Sequence, residues 1–313
     1  MTARIFIDGQ AGTTGLSIAT RLRAIPGTEI LTLPDQDRKN DDARTAIMAK
    51  ADLVVLCLPD DAARQAVALA ERLGTAAPKL LDASTAHRLA PGWVYGFAEL
   101  TRDQPARIGK AQRVANPGCY ATGAIALLRP LTEAGLLQAD QNISINAVSG
   151  YSGGGKSMIA DHETSHGPAF ELYGLGHGHK HIPEIRHYAG LTTAPLFIPS
   201  VGHFRQGMLV SIPLFLHDLP GKPRGADIEA AFDRHYAGSH LVRRRPMPAD
   251  FRLDPQSLND TDRMEIFVHA DDQSGRAILI ARLDNLGKGA AGAAVQNLLL
   301  QLSLQPAMEA LDA

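Results

Sequence analysis

The chain has 313 residues, 45% of them hydrophobic, which suits one large or two medium globular domains with a substantial core. Its 31 Lys and Arg nearly balance 33 Asp and Glu, so no basic face argues for a nucleic-acid partner. Two cysteines are too few for a disulfide framework, no apolar run approaches the roughly 18 residues of a membrane span, and Met1–Arg23 is too interrupted by Asp8 and glycines to be a signal peptide. The expectation is a cytoplasmic protein with no membrane partner.

Arg4–Asp8 reads as a strand that runs into a glycine-rich turn, then a helix with Leu16, Ala19 and Leu22 on one face, closed by Pro26-Gly27. Glu29–Leu33 reads as a second strand. Leu53–Pro59 is continuously apolar, as expected of a strand buried on both faces of a parallel sheet. Asp60 and Asp61 then read as caps of a helix carrying Val67, Ala70 and Leu73 and ended by Gly74. Lys79–Ser84 is another strand. This alternation predicts an α/β fold with a Rossmann-type, doubly wound parallel sheet.

From Gly118 the texture changes. A helix is expected from Cys119 to Ala134, followed by longer alternating strands at Ile143–Val148, Gly207–Phe215, Met264–His269 and Ala277–Leu283. Histidine- and glycine-rich loops separate them, which predicts an α+β domain with a mostly antiparallel sheet. The run Arg243–Arg245 before Pro246 reads as a solvated loop. The last helix, about Ala291–Leu304, fits either domain by pattern alone.

Gly9, Gly12 and Gly15 give G-x-x-G-x-x-G between the first strand and its helix, a close variant of the dinucleotide finger. Glycines there let the backbone turn tightly and approach a pyrophosphate, whose charge is favoured at a helix N-terminus. Asp35, near the end of the second strand, would hold the ribose hydroxyls of NAD; Arg38 and Lys39 would hold a 2′-phosphate instead. The residues leave that choice open.

Cys57, inside an apolar run, reads as a buried small hydrophobe. Cys119 differs, because Asn116-Pro117-Gly118 turns directly into it and a helix follows. A helix N-terminus favours the thiolate and offers free N–H groups to an oxyanion, so a nucleophile with a lowered pKa is expected. His177, His179, His181 and Glu184 form the densest histidine cluster. Their alternate spacing lacks a matching second cluster for zinc, so no metal is expected, and a Cys–His pair for nucleophilic and acid–base work is the simpler use.

Gly150, Gly155, Lys156 and Ser157 also satisfy the nucleotide P-loop pattern G-x-x-x-x-G-K-[ST]. The segment after it is short and polar and is broken by Gly167-Pro168, so the long buried helix of a P-loop NTPase is not expected. Ser149, Ser152, the Gly153–Gly155 amides and Lys156 are nevertheless equipment for an anion.

Four ordered stretches, Ala115–Ile125, Ser149–Lys156, Tyr173–Ile185 and Leu283–Asn297, together with the finger and Asp82, Ser84 and Arg88, resemble the N-acetyl-gamma-glutamyl-phosphate reductases, in their shorter form. These are relatives of the aspartate-semialdehyde dehydrogenases. The resemblance implies NADP(H) as cofactor, a small-molecule acyl phosphate as substrate, and a homo-oligomer, dimer or tetramer. It implies Cys119 as nucleophile and His181 as acid–base. Substrate contacts implied are Ser149, Ser152, Gly153, Lys156, Tyr173, His179, Glu184 and Arg205. Cofactor contacts implied are Gly9, Gly12, Thr13, Thr14, Gly15, Arg38, Ser84, Asn285, Lys288 and Gly289. The expected division is a cofactor domain over 1–117, completed by a C-terminal helix within 286–313, and a catalytic domain over 118–285. Two other readings stand beside it: a reductase of aspartyl or carrier-bound aminoadipyl phosphate, and a non-catalytic NADPH-sensing protein on the same fold.

Overall fold

The computed structural model describes residues 2–176 and 178–304. The first sheet holds six parallel strands, β1 (Ala3–Asp8), β2 (Thr28–Leu31), β3 (Leu53–Leu56), β4 (Lys79–Asp82), β5 (Val94–Tyr95) and β6 (Arg113–Ala115), in the order β2-β1-β3-β4-β6-β5. The connections carry helices α1 (Thr13–Arg23), α2 (Asp41–Met48), α3 (Asp60–Glu71) and α4 (Gln104–Lys110). The chain visits β2 on one side of β1 and then crosses to β3 on the other. That reversal leaves a crevice at the carboxyl ends of β1 and β3, where open α/β sheets bind their ligands.

The apolar run of β3 is buried at all four positions, as two-sided burial requires. Details of the neighbouring helices differ from the pattern. In α1 the buried face is Gly15, Ile18, Ala19 and Leu22, while Leu16 is exposed. Asp60 and Asp61 begin α3 without capping it; the Asp60 carboxylate accepts from the backbone N–H of Thr85 at 3.0 Å and from the Thr85 hydroxyl. Asp35 sits in a 3-10 turn past the end of β2.

Helix α5 (Cys119–Glu133) opens the second unit. It continues through β7 (Ser144–Gly150), α6 (Gly155–Thr164), β8 (Phe170–Leu172), α7 (Ile182–Tyr188), β9 (Leu196–Gly202), β10 (Met208–Phe215), α8 (Gly225–His235), β11 (Val242–Arg245), β12 (Met264–Asp271) and β13 (Arg276–Leu283). The seven strands order as β11-β12-β13-β10-β7-β9-β8. Pairing is antiparallel except at β11–β12 and β7–β9. Arg243–Arg245 thus form an edge strand rather than a solvated loop; Arg244 is held by Asp233 at 2.7 Å and Arg245 by Glu265 at 3.2 Å.

Alternation decides what each face of this sheet meets. Met208, Val210, Ile212 and Leu214 are buried in one core with α5 and α8. A Cβ on Gly123 would come within 2.7 Å of Val210 Cγ2, so the glycine lets α5 lie close on β10. Following the register from strand to strand puts Phe170, Leu172, Leu196, Phe215 and Ile278 together on the opposite face, where all are exposed.

A π turn at Gly287–Ala291 leads into the last helix, α9 (Gly292–Leu302). Its Ala294, Val295, Leu298 and Leu299 pack with Ile5, Ile18, Leu22, Leu81 and Ile108. The helix therefore completes the core of the first unit; residues 305–313 lie outside the described residues. Asn297 donates to the Gly96 carbonyl at 2.7 Å and to the Asn116 side chain at 3.0 Å.

Candidate active site

The finger turn is built from backbone that only glycine allows at two points. Gly9 has φ +89, and a side chain there would run into the carbonyl of Cys57. A Cβ on Gly15 would lie 2.7 Å from the Gly9 carbonyl oxygen, so the start of α1 presses against the turn. Gly12 precedes α1 without any side-chain cap, which leaves the first N–H groups of the helix available to an anion. Thr13 and Thr14 line the cleft. Behind the turn Asp8 is buried and bonded to Arg44 at 2.7 Å; burial pushes its carboxyl up while Arg44 pulls it down. Asp35 and Arg38 pair with each other at 2.6 Å on the exposed surface.

Cys119 is the first residue of α5, and Gly118 before it supplies no side-chain cap. Two glycines make its setting possible. A Cβ on Gly118 would run into the His181 ring and lie 2.6 Å from Arg88 Nη1. One on Gly289 would lie 2.9 Å from Cys119 Cβ. Burial raises the thiol above its ordinary value, opposed by the Tyr120 N–H, Arg88 and Lys180. The expected lowering by the helix start is present, but desolvation outweighs it, since an apolar environment penalises the charged form.

Beneath the cysteine lies a buried polar cluster centred on Glu184. Its carboxylate accepts from Arg88 Nη1 at 2.5 Å, the Tyr95 hydroxyl at 2.7 Å and the Gly118 N–H at 3.3 Å. It also lies 3.9 Å from His181 Nε2. Burial pushes the Glu184 carboxyl up, and those three donors pull it back. Arg88 further donates through Nε to the Asn116 carbonyl at 3.1 Å, which braces the turn leading to Cys119.

His181 precedes α7 and is buried. Its backbone N–H donates to His179 Nδ1 at 3.2 Å, and its own Nδ1 is buried with no partner among the described residues. Burial, with help from Arg88, His179 and Lys180, holds its pKa well below the ordinary value, so the ring is neutral. His179 is pushed down to about 4 by burial and by Lys180. His177 lies outside the described residues. Among the described residues no group of three or more His, Cys, Asp or Glu is placed to hold a metal ion.

The glycine loop forms a fourth wall. Residues Tyr151–Gly154 make a 3-10 turn, Gly155 takes φ +74, and α6 follows. Ser152 is buried and accepts from Asn285 Nδ2 at 2.9 Å, while Asn285 Oδ1 accepts from the Gly207 N–H at 2.8 Å.

These walls enclose a cleft of about 260 Å³. It brings together Cys119, His181, His179 and Tyr173 with Thr13, Thr14, Ser152, Gly153, Asn285 and Gly289. Other expected site residues stand outside its lining. Ser149 and Glu184 are buried behind it. Lys156 is exposed, and Arg205 is exposed and paired with Glu163 at 2.6 Å. Ser84 is turned to Asp82 at 2.7 Å. The Lys288 ammonium is buried between Glu99 and Gln296, each at 2.7 Å. Arg88, Tyr120 and Lys180 line the cleft without having been expected as contacts; Arg88 is among the residues that carry the resemblance, but nothing in the pattern pairs it with a residue 96 positions away.

A parallel dinucleotide-type sheet, joined to a mixed-sheet domain whose first helix opens on a cysteine facing the crevice, defines an oxidoreductase of the semialdehyde dehydrogenase class. Family models agree: residues 31–108 match the semialdehyde dehydrogenase NAD binding domain, and residues 119–285 its dimerisation domain. The fold is shared with aspartate semialdehyde dehydrogenase II from Vibrio cholerae, at TM-score 0.74 and 15% identity over 97% of this chain and 99% of that one. It is shared also with the enzyme from Candida albicans solved with NADP, at TM-score 0.64 and 13% identity over 96% and 98%. An N-acetyl-gamma-glutamyl-phosphate reductase from Brucella suis is 49% identical over 310 residues, 96% of this chain and 99% of its own length. The chain belongs to the N-acetyl-gamma-glutamyl-phosphate reductase family.

Proposed function

We propose that this chain reduces N-acetyl-L-glutamyl 5-phosphate with NADPH to N-acetyl-L-glutamate 5-semialdehyde and phosphate, reversibly, in arginine biosynthesis. The observation that carries the reading is Cys119 at an uncapped helix start, in one cleft with neutral His181 and the finger threonines. The finger suits a dinucleotide: its glycines leave no side chain between the turn and an incoming pyrophosphate, and the first turn of α1 is uncapped. Gly9, Gly12, Thr13, Thr14 and Gly15 would hold the pyrophosphate, Arg38 the 2′-phosphate, and Asn285 and Gly289 border the end nearest Cys119. When bound, NADPH supplies the hydride.

The chain's own residues do the rest. Neutral His181 is the base that takes the thiol proton of Cys119 as the sulfur attacks; burial of both groups opposes a standing thiolate–imidazolium pair, so the transfer is coupled to the attack. The sulfur bonds to the acyl carbon, the carbon–oxygen bond to phosphate breaks, and a thioester forms on Cys119. Free N–H groups at the start of α5 meet the charge that develops on the carbonyl oxygen. The glycine loop, with Ser152 and the Gly153–Gly155 amides, receives the departing phosphate. After reduction His181 returns its proton to the tetrahedral oxygen and takes it back as the carbon–sulfur bond breaks. Tyr173 and His179 face the acyl chain. Its acetylated amine carries no charge and needs no counter-ion.

The dimerisation-domain match and the exposed apolar face of the seven-stranded sheet support a homo-oligomer, dimer or tetramer. No described helix is long and apolar enough to cross a membrane, and the site of action proposed is the cytoplasm. The test is phosphate-dependent NADP reduction by N-acetylglutamate semialdehyde, with aspartate semialdehyde alongside. Cys119→Ser should abolish turnover while leaving NADPH binding intact. Faster turnover of aspartate semialdehyde would overturn the substrate assignment, and an active Cys119→Ser would overturn the nucleophile.

A further inference from the structure

Helix α6 carries the glycine loop at its start, yet its one buried residue is a histidine, His162. The Nδ1 of that ring lies 2.9 Å from Nδ1 of His203. Tyr151 stacks on it at 4.8 Å and 12°. Gly167 closes beneath, where a Cβ would come within 2.9 Å of the ring. The next residue, Glu163, accepts from Arg205 at 2.6 Å. His203 and Arg205 belong to the turn after β9, and that turn also grips the loop's beginning. The carbonyls of Phe204 and Arg205 accept from the N–H groups of Tyr151 at 2.9 Å and Ser152 at 3.0 Å. Gly153–Gly155 are therefore strung between two attachments to one turn, the second made by the buried His162–His203 contact and the exposed Glu163–Arg205 pair.

A leucine or phenylalanine would anchor such a helix more firmly, because a buried imidazole is costly unless its nitrogens are bonded. A bond between two Nδ1 atoms needs one ring to donate and the other to accept, and its net contribution is modest. An attachment of that strength suits a loop that must close on phosphate and then let it go.

We propose that the His162–His203 pair is a positioning latch: it holds α6 so that the Gly153–Gly155 amides face the cleft, and it sets phosphate affinity without touching the reacting atoms. The proposal rests on the acyl-phosphate reading of the cleft given above. His203 is exposed, so replacing it leaves the core intact. His203→Ala should raise the KM for inorganic phosphate, in the direction that oxidises the semialdehyde, about fivefold. Its kcat and its KM for NADP should stay within about twofold. His203→Asn, which returns an amide to the Nδ1 position, should restore the phosphate KM. His162→Phe keeps the stacked ring and should match His203→Ala, and the double variant should add nothing more.

The phosphate concentration that half-protects Cys119 from iodoacetamide, measured at about pH 8.5, should move by the same factor. That measurement reads the latch whatever the acyl substrate is, so an inert semialdehyde with a shifted half-protection would sink the substrate reading and leave the latch. An unchanged phosphate KM and half-protection in His203→Ala would overturn the latch. So would an equal loss across phosphate, NADP and kcat, which marks a merely structural contact.

Discussion

Arg88 and Glu184 meet 2.5 Å apart in the interior, and the carboxylate that receives the guanidinium also receives the N–H of Gly118, directly before Cys119. The pair thus joins the crevice end of the parallel-sheet domain to α7 of the other domain. It braces the turn into Cys119 through Gly118, and the carboxylate lies 3.9 Å from His181 Nε2.

Removing one partner of a buried pair leaves the other charge uncompensated. Glu184→Gln keeps an acceptor for the Tyr95 hydroxyl but strands the Arg88 guanidinium. The expected loss is about 3 kcal/mol of stability in urea unfolding, with a fall in kcat from misplacement of Cys119. A loss under about 1 kcal/mol would mean that the pair is less dry than its burial indicates.

His181→Asn should lower kcat by roughly a hundredfold or more, the scale of general acid–base catalysis, with the dissociation constant of NADPH nearly unchanged. Should kcat hold, the acid–base role passes to His179, whose Nδ1 already accepts from the His181 backbone.

The raised pKa of Cys119 makes a chemical signature. Iodoacetamide should alkylate the resting protein at pH 7.5 more slowly than it alkylates free glutathione, and the rate should climb steeply toward pH 10. Cys57, pushed up to about 12 by burial with Asp82 and Asp8 nearby, should stay unlabelled throughout. Fast, pH-independent labelling of Cys119 near neutrality would show a standing thiolate and refute the proton hand-over to His181.

The histidines also link stability to pH. An unfolded chain protonates histidine near about pH 6.5. The folded chain keeps His179 neutral down to about 4 and His181 well below its ordinary value. Between those limits the unfolded state binds more protons, so this contribution is lost as pH falls below about 6.5. Buried carboxyls with raised pKa values, Asp8, Glu184, Asp262 and Asp284, act in the opposite direction. The clean measure is therefore a difference: the His179→Asn variant should lose less stability than the parent between pH 7 and 5. Parallel curves would remove the linkage.

What the residues declared in advance follows a physical divide. The finger and the Cys119 turn were readable because backbone geometry demands glycine, and a helix start follows a turn, at fixed local spacing. The long strands β10 and β13 announced themselves by alternation. Strands β5, β6 and β8 are two or three residues long and carry no period of their own. Pro199 disguised β9, and three arginines disguised β11, where Arg244 is answered by Glu229 and Asp233 and Arg245 by Glu265. Lys288 shows the limit most sharply. It sits beside a glycine that touches Cys119, yet its ammonium turns away to Gln296, two turns on, and to Glu99, 189 positions back in the chain.

The chain leaves its first domain at Asn116–Cys119 and comes back at Asn285–Ala290, and these two passages touch. Asn116 donates to the Ala290 carbonyl at 3.0 Å, and Gly289 packs on Cys119. Any rocking of one domain on the other must pivot on this double strand of connections. Points on a pivot travel least, so such a rotation would leave Cys119 nearly in place while it moved the outer rims of the cleft.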